Sequence, residues 1–451
     1  MSRRTVRSGC TAAVALVLVA LSAPAGHAAT PDATKTPISH LVVMTQDQHS
    51  FDNYFGARAG VDGIPQAVCV PATARSSTPC VMPFSLAGSG LKPTLLATAT
   101  AQQASVDGGR MDGFVRAQTA PRVSGKVSMG YYPPTALPGL TELADHGVVF
   151  DRWFSSVPGG TIANRLFAVS ATAVPDTEQV PATGWADLPV IFDRLQSAGV
   201  SWKIYVENYA PTLTANTSDL KARRGGQLAR VPLLSLSRYE NNPALMAHIA
   251  DLDTYYSDVA AGTLPAVSWL VTTASTERAP SNPLVGQRQA RNVVNALGES
   301  PEWPSSAFLL SYDSSGGWYD HVAPPTEDGV SLGLRVPALL ISPYATPGAV
   351  DHSQLDSASV LRFIETNWSL APLAARDRDA ANLGDAFSFG HSPRAATILG
   401  TAKNGPAPLR PNRHVIYGVY LLAALAVAVV VGWAVVGGRR ADRDVASVEP
   451  A

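Results

Sequence analysis

Short apolar runs alternate with helical patterns along the middle of the chain. Five runs rich in β-branched and aromatic residues are typical of buried strands; they are residues 40–44 (HLVVM), 200–207 (VSWKIYVE), 267–271 (VSWLV), 307–312 (AFLLSY) and 336–342 (VPALLIS). Between them, apolar residues recur at helical spacing, notably in residues 188–198, 287–297 and 357–367. This alternation predicts an α/β fold, with a mainly parallel sheet covered by helices on both faces.

Two longer apolar segments lie at the ends of the chain. Residues 1–29 carry three early arginines, an apolar stretch and small residues that suit cleavage, so they are predicted to be a signal peptide. Residues 415–436 hold no charged side chain and have the roughly 20 residues needed to cross a bilayer. A buried core helix is the alternative, but the proline-rich residues 391–414 before this segment favour a stalk and a transmembrane helix.

These segments predict how the chain is organised. Residues 30–390 would form one extracytoplasmic domain, and residues 437–451 a cytoplasmic tail. The protein would then be a single-pass protein of the cell membrane, attached through one C-terminal helix. With 34 Lys and Arg against 35 Asp and Glu, the net charge is −1. This balance offers no electrostatic reason to expect nucleic acid as a partner.

Residues 56–135 are rich in Gly, Pro, Ser and Thr and are predicted to form a loop-rich insertion. The insertion contains Cys69 and Cys80, which are the cysteines that remain beyond the predicted leader. In an oxidising compartment such a pair is expected to form a disulfide. Two free surface thiols are the alternative.

Polar side chains follow two of the predicted strands and precede one helix. Asp47 lies just beyond the first run, and Asp313 directly follows residues 307–312. Thr161 follows a glycine pair and would open a helix, whose free N–H groups and dipole favour an anion or a developing alkoxide. Because the carboxyl ends of parallel strands share one rim, these three residues are predicted to converge.

Five segments occur in an order that carries a family resemblance: MTQDQHSFDNYFG, GGTIANRLF, SYDSSGGWYDHVAPP, LRVPALLISPYA and VDHSQLDSASVLRFIETNW. Together they resemble the phosphoesterase family of bacterial phospholipases C and acid phosphatases, which has the alkaline-phosphatase-like fold. The resemblance extends from about residue 38 to residue 389. DGGRMDGF at 107–114 and VSWKIYVENY at 200–209 belong to it as well.

The resemblance implies a metal-assisted phosphoryl transfer. One divalent metal ion, of unknown identity, would be held by a group of five residues: Asp47, Gln48, Thr161, Asp313 and Ser314. The hydroxyl of Thr161 would attack the phosphorus of a phosphate-ester substrate. His352 would contact the phosphate or the leaving group.

The chain also departs from the family pattern. Asp47 stands in place of a Glu, Gln48 in place of an Asn, and Ser314 in place of an acid. A family histidine is replaced by Arg278, whose guanidinium would suit bidentate phosphate contacts. A hard cation depends on carboxylate oxygens, so the departures predict a weaker metal site, or one that has been lost.

Two functions follow from the resemblance and its departures. The first is a membrane-anchored phosphoesterase that hydrolyses phospholipids or phosphomonoesters. The second is a catalytically inactive domain that serves as a surface binding or scaffold module. The metal content of the protein would distinguish them.

Simpler structural roles are open for several of these residues. Thr161 would also suit a helix N-cap. Asp47 and Asp313 would also suit turns, His352 could hydrogen-bond within its loop, and Arg165 is expected to pair with a carboxylate inside the fold. Asp320 and His321 are expected to brace their loop.

Overall fold

The computed structural model describes residues 34–73, 76–87, 94–121, 123–214, 217–273, 282–327 and 329–400. The chain divides into two units, Met1–Leu399 and Gly400–Ala451, and the description below concerns the first. The predicted leader, most of the stalk, the segment 415–436, the tail and Arg278 lie outside the described residues. Within the described ranges, no helix is both long and apolar enough to span a bilayer.

The centre of the described part is an eight-stranded sheet with the order β14-β6-β13-β10-β1-β9-β7-β8. Short two-stranded pairs lie outside it, namely β2 with β3, β4 with β5 and β11 with β12. The strands are β1 His40–Gln46, β2 Val70–Thr73, β3 Ser76–Val81, β4 Phe84–Ser85, β5 Gly130–Tyr131, β6 Val148–Phe150, β7 Trp202–Val206, β8 Ile249–Asp251, β9 Val267–Val271, β10 Ser306–Tyr312, β11 Thr326–Glu327, β12 Val330–Ser331, β13 Ala338–Ile341 and β14 Ala349–Asp351.

The α-helices connect these strands and flank the sheet. They are α1 Phe51–Phe55, α2 Ala99–Val106, α3 Phe114–Ala117, α4 Pro138–His146, α5 Thr161–Ser170, α6 Ile191–Ala198, α7 Leu220–Gly225, α8 Gln227–Arg230, α9 Ser237–Glu240, α10 Pro243–Met246, α11 Asp253–Ala261, α12 Pro283–Glu299, α13 Ser357–Asn367 and α14 Ala375–Arg378. The longest of these described helices, α12, buries Gln287, Ala290, Val294 and Leu297 at intervals of three and four, which is the spacing of one helix face.

The predicted α/β fold with a mainly parallel sheet is confirmed. Strand β1 pairs in parallel with both β10 and β9, and β7 pairs in parallel with β9 and β8. Strand β13 is the antiparallel exception, between β10 and β6. The sequence pattern missed β6, β8 and β14, because strands of three residues are too short to show a period.

The register of β1 and β10 determines where the polar strand ends meet. Gln46, the last residue of β1, lies opposite Tyr312, the last residue of β10. Asp47 directly follows β1 and Asp313 directly follows β10. The Asp313 N–H donates to the carbonyl oxygen of Gln46 at 3.0 Å. The parallel register therefore places the two aspartates side by side at one rim of the sheet.

The insertion at residues 56–135 contains more regular structure than its composition suggests. Strands β2 and β3 form a hairpin, and Cys69 and Cys80 are joined by the predicted disulfide. Phe114 of α3 is fully buried in a small apolar cluster beneath this hairpin. The insertion thus packs on a small core that it shares with Tyr319 and Leu334, and a disulfide joins the two strands of its hairpin.

Candidate active site

Thr161 is the first residue of α5, where it follows the turn made by Gly159 and Gly160. The side chain of Asn164 holds this turn, because its Oδ1 accepts from the Val157 N–H at 3.1 Å and its Nδ2 donates to the Gly160 carbonyl at 3.1 Å. Arg165 lies one helical turn after Thr161, so both side chains leave the same face of α5. The helix therefore presents a hydroxyl and a guanidinium together at its positive end.

Gln48 approaches Thr161 from the end of β1. Its Nε2 donates a hydrogen bond to Thr161 Oγ1 at 3.2 Å. The backbone of Gln48 has φ 61°, a left-handed conformation that is uncommon for a residue with a side chain. Gly316 packs against it, and a Cβ there would lie 2.4 Å from the Gln48 carbonyl oxygen. The strained turn is thus held in place by a glycine, and it aims Gln48 at the hydroxyl of Thr161.

Two arginines surround the two aspartates. Arg165 Nη2 lies 2.9 Å from Asp47 Oδ1, while its Nε lies 3.1 Å from Asp313 Oδ2. Arg230 Nε lies 3.2 Å from both oxygens of Asp47, and its Nη2 also contacts Asp47 Oδ2. All four side chains are at least 97% buried. The expected pairing of Arg165 with a buried carboxylate is confirmed.

The two aspartates have pKa values shifted in opposite directions. Burial raises the pKa of Asp47, but the charges of Arg230 and Arg165 outweigh burial and lower the pKa to about 2. Burial, together with the charge of Asp47, raises the pKa of Asp313 to about 6 against the opposing effect of Arg165 and Arg230. One carboxylate of the pair is therefore firmly ionised, and the other is close to titration near neutral pH.

Arg230 is the site residue that sequence reasoning missed. It is the last residue of the short helix α8, which packs against α5. Its Nη1 contacts the carbonyl oxygens of Gly225 and Gly226, at 3.2 Å for Gly226. An arginine between a glycine pair and the apolar residues 231–234 was the available signal, because a charged side chain in such surroundings is usually paired.

The contacts of the aspartates do not fit a divalent cation. Each oxygen of Asp47 already accepts from two arginine nitrogens. Asp313 Oδ1 accepts from the Gln48 N–H at 3.3 Å and from Ser314 Oγ at 2.9 Å, and its Oδ2 accepts from Arg165. A carboxylate oxygen has about two lone-pair sites, so only one site of Asp313 remains for a cation that takes six or more oxygen ligands.

The predicted metal ligands Asp47, Gln48, Thr161, Asp313 and Ser314 do come together in the structure. Their role as metal ligands stays a prediction, one with which the arginine contacts disagree. Ser314 is 1% exposed, and its hydroxyl donates a hydrogen bond to Asp313 Oδ1.

A cavity of about 330 Å³ opens beside Thr161. Its lining includes Gln48, Thr161, Asp176 and Arg230, together with residues 94–98 of the insertion. An adjoining cavity of about 490 Å³ shares Arg230 as a lining residue and has more apolar walls, which include Val206, Leu213 and Val271. Thr161 therefore borders a space large enough for a small substrate group.

His352 lies at the edge of the sheet, where its side chain contacts Asp151. His352 follows β14, three strands from β10, which corresponds to roughly 14 Å at the usual strand spacing. Its Nδ1 lies 2.9 Å from both carboxylate oxygens of Asp151, and its side chain is 65% exposed. Its predicted contact with phosphate stays a prediction, as does that of Arg278.

A second cluster of ionisable groups lies under the loop after β10. Asp52, Asp320 and His321 offer ligand atoms within 4.8 Å of one another, which makes them a possible metal-binding group. Arg335, however, donates to Asp320 Oδ1 at 2.8 Å and to Asp52 Oδ1 at 3.1 Å. His321 Nδ1 lies 2.8 Å from Asp52 Oδ2. This buried network braces the loop in the way that the sequence predicted for Asp320 and His321.

Comparison with known proteins agrees with the resemblance. The model of the phosphoesterase family matches residues 38–371. The chain is 28% identical to a non-hemolytic phospholipase C of Pseudomonas aeruginosa, over 78% of this chain and 57% of that protein. It is also 28% identical to phospholipase C A of Mycobacterium tuberculosis, over 80% of this chain and 79% of that protein.

The structural similarity is more distant. A protein of the alkaline phosphatase superfamily from Vibrio parahaemolyticus aligns with a TM-score of 0.37 and 11% identity, over 74% of this chain and 67% of that one. That TM-score is too low to support an inference about mechanism. The family match, in contrast, covers most of the chain and includes Asp47, Thr161 and Asp313. The chain belongs to the phosphoesterase family, whose phospholipase C members are hydrolases acting on phosphoric ester bonds.

Proposed function

We propose that this protein hydrolyses phosphate esters with Thr161 as its nucleophile. The observation that supports this is the position of the Thr161 hydroxyl, at the positive end of α5, beside a cavity and hydrogen-bonded to Gln48. Helix N-termini bind phosphate groups and stabilise a developing alkoxide. A hydroxyl in this position is suited to attack phosphorus.

The reaction would proceed in two steps. Thr161 Oγ1 forms a bond to phosphorus while the bond to the ester oxygen breaks, and the departing alcohol gains a proton as the threonine hydroxyl loses one. Water then attacks the phosphothreonine, which releases phosphate or a phosphomonoester and restores the hydroxyl. Arg230, which lines the cavity beside Thr161, stabilises the charge of the phosphoryl oxygens, and Gln48 orients the hydroxyl.

The two adjoining cavities suit an ester with a polar and an apolar part. The cavity beside Thr161 contains charged side chains, among them Asp176 and Arg230. The adjoining one is lined by Val206, Leu213 and Val271, along with charged residues that include Glu207, Asp219 and Lys221, and its exposed surface is more apolar. Phosphate would lie beside Thr161 and the organic group in the adjoining cavity. Phospholipids and phosphomonoesters are the substrate classes that we propose.

Phosphoryl capture tests the nucleophile. The full chain is incubated with p-nitrophenyl phosphate or a phosphorylcholine ester, quenched in acid and digested. The peptide that contains Thr161 is then examined for one added phosphoryl group with the first substrate, or one added phosphorylcholine group with the second. Thr161→Ala should lower the hydrolysis rate by roughly 10³-fold or more, while Thr161→Ser should retain part of it. Thr141→Ala is the control, because Thr141 Oγ1 donates to the Pro134 carbonyl in another part of the fold.

Two results would contradict the proposal. Hydrolysis that survives Thr161→Ala would exclude the covalent mechanism. A wild-type protein that hydrolyses none of the substrates, with or without added divalent metals, would favour the inactive binding module instead.

We also propose that residues 30–390 work outside the cytoplasm, tethered by residues 415–436. The support is the apolar pattern of the two terminal segments and the disulfide, which is typical of exported proteins. Membrane fractionation of cells that produce the full chain, or a chain ending at Gly405, tests the tether. The shorter chain should appear in the soluble exported fraction, and tight membrane association of that chain would refute the assignment.

A further inference from the structure

We propose that Arg230 supplies the positive charge that a divalent metal ion would otherwise supply to Asp47, so that phosphate-ester hydrolysis at Thr161 requires no metal. This inference rests on the proposed function, whose nucleophile and cavity it shares. It concerns the charge balance of the site.

The first argument is the saturation of Asp47. Arg230 Nε lies 3.2 Å from both Asp47 oxygens, and Arg165 Nη2 lies 2.9 Å from Oδ1. Each oxygen already has two donors, so a cation could reach Asp47 only after Arg230 had moved away. Arg230 is 3% exposed and its Nη1 is held by the carbonyl oxygens of Gly225 and Gly226, so its position is fixed from both sides.

The second argument is charge. Arg165 and Arg230 together carry two positive charges, which match the two negative charges of ionised Asp47 and Asp313. A divalent ion added to these four buried groups would leave an excess of two positive charges. Burying uncompensated charge is costly, so the arginine pair disfavours a metal in the same place.

The third argument is an unused donor. Arg165 Nη1 is buried and has no hydrogen-bond partner in the described part of the protein, whereas the Nε and Nη2 of the same side chain are paired. A buried N–H without a partner is unfavourable until a ligand arrives. Arg165 does not line the cavity beside Thr161, so this donor is a reserve of positive charge within the buried group, and the arginine of that group that borders the cavity is Arg230. Arg230 thus holds Asp47 and also supplies positive charge at the edge of the cavity where phosphate would lie.

Metal binding by the purified full chain tests the inference without reference to turnover. Wild-type protein should contain substoichiometric metal by elemental analysis and should show no binding of Mg²⁺, Mn²⁺, Zn²⁺ or Ca²⁺ by calorimetry. Arg230→Ala exposes the oxygens of Asp47 and should gain affinity for at least one of these ions by about tenfold or more. Arg238→Ala is the matched control, since Arg238 also pairs with two aspartates, Asp187 and Asp193, in another part of the fold.

Activity and phosphate binding complete the test. Hydrolysis of p-nitrophenyl phosphate by the wild type should be unchanged in EDTA. Arg230→Ala should lose affinity for inorganic phosphate by about tenfold, and Arg230→Lys should lose less, because it keeps the charge.

The outcomes separate this inference from the proposed function. One tightly bound metal per wild-type chain, or hydrolysis that EDTA abolishes and metal restores, would overturn the role of Arg230. Both measurements use the wild-type protein, so neither depends on the folding of a variant. A metal-free wild type without hydrolysis, combined with metal binding gained in Arg230→Ala, would retain the role of Arg230 and reject the enzyme. Absence of the gain in Arg230→Ala, in a variant whose circular dichroism matches the wild type, would reject the role of Arg230.

Discussion

Arg165 joins Asp47 to Asp313, with Nη2 at 2.9 Å from one carboxylate and Nε at 3.1 Å from the other. The aspartates come from neighbouring parallel strands, and the arginine comes from the helix that begins with Thr161. Thr161 and the charged pair are therefore parts of one connected, buried arrangement. A change to any member of this group is expected to affect both stability and the site.

Replacing Arg165 with Met should lower the free energy of unfolding by about 3–5 kcal/mol, because two buried carboxylates lose a shared partner. Thermal and urea unfolding measure the change. Arg58→Met is the comparison, since Arg58 pairs with Asp145, whose side chain is 56% exposed, and such a pair contributes about 0–1 kcal/mol. Equal losses for the two variants would show that the buried pair has no special role.

Gly316→Ala should disturb the site through the backbone. The residue has φ +62°, and a Cβ would lie 2.4 Å from the Gln48 carbonyl oxygen. We expect a loss of about 1–3 kcal/mol in stability and a fall in turnover, because Gln48 would no longer aim at Thr161. Gly60→Ala is the control, because Gly60 has φ +84° but no atom within 4 Å of the added Cβ. Turnover that falls equally in both variants would contradict this explanation.

The stability of the protein should depend on pH through Asp313. Its pKa is about 6 in the folded protein, against 3.8 for the ordinary group, so the folded state holds a proton that the unfolded chain releases between pH 4 and 6. The contribution of Asp313 to the free energy of unfolding is therefore fully present below about pH 4 and is lost as the pH rises to 6. Melting temperatures of the wild type and Asp313→Asn across this range measure the effect.

The expected result is that the wild type loses stability relative to Asp313→Asn as the pH rises from 4 to 6. Parallel curves for the two proteins would mean that the pKa of Asp313 is not raised. Asp356→Asn offers a second comparison, because burial also raises the pKa of Asp356, which pairs with Arg376 and makes no contact with Asp47 or Asp313 among the described ion pairs.

Removing the disulfide should destabilise the insertion without removing activity. Cys69 and Cys80 are 11 residues apart, and a loop of this length corresponds to roughly 3 kcal/mol in the chain-entropy model. The double change to Ser should lower the melting temperature, while the hydrolysis rate at moderate temperature stays close to the wild type. Neither cysteine lines the cavity beside Thr161. A matching loss of activity in a folded variant would show that the hairpin supports the site.

The sequence by itself determined the strands that carry the site. Apolar runs that end in a polar residue located β1 and β10, and the glycine pair before Thr161 located the start of α5. These are local patterns, since each depends on periodicity or on turn chemistry within a few residues. The pairing of Cys69 with Cys80 was predictable because no other cysteine remained beyond the predicted leader.

Only the tertiary structure decided how the charges are arranged. Arg230 reaches Asp47 from a position 183 residues further along the chain, and no local pattern links the two. The opposite pKa shifts of Asp47 and Asp313 likewise depend on burial and on which arginine faces which oxygen. Electrostatic interactions act through space in a low-dielectric interior, so their balance is settled by packing and strand register, which the order of residues does not display.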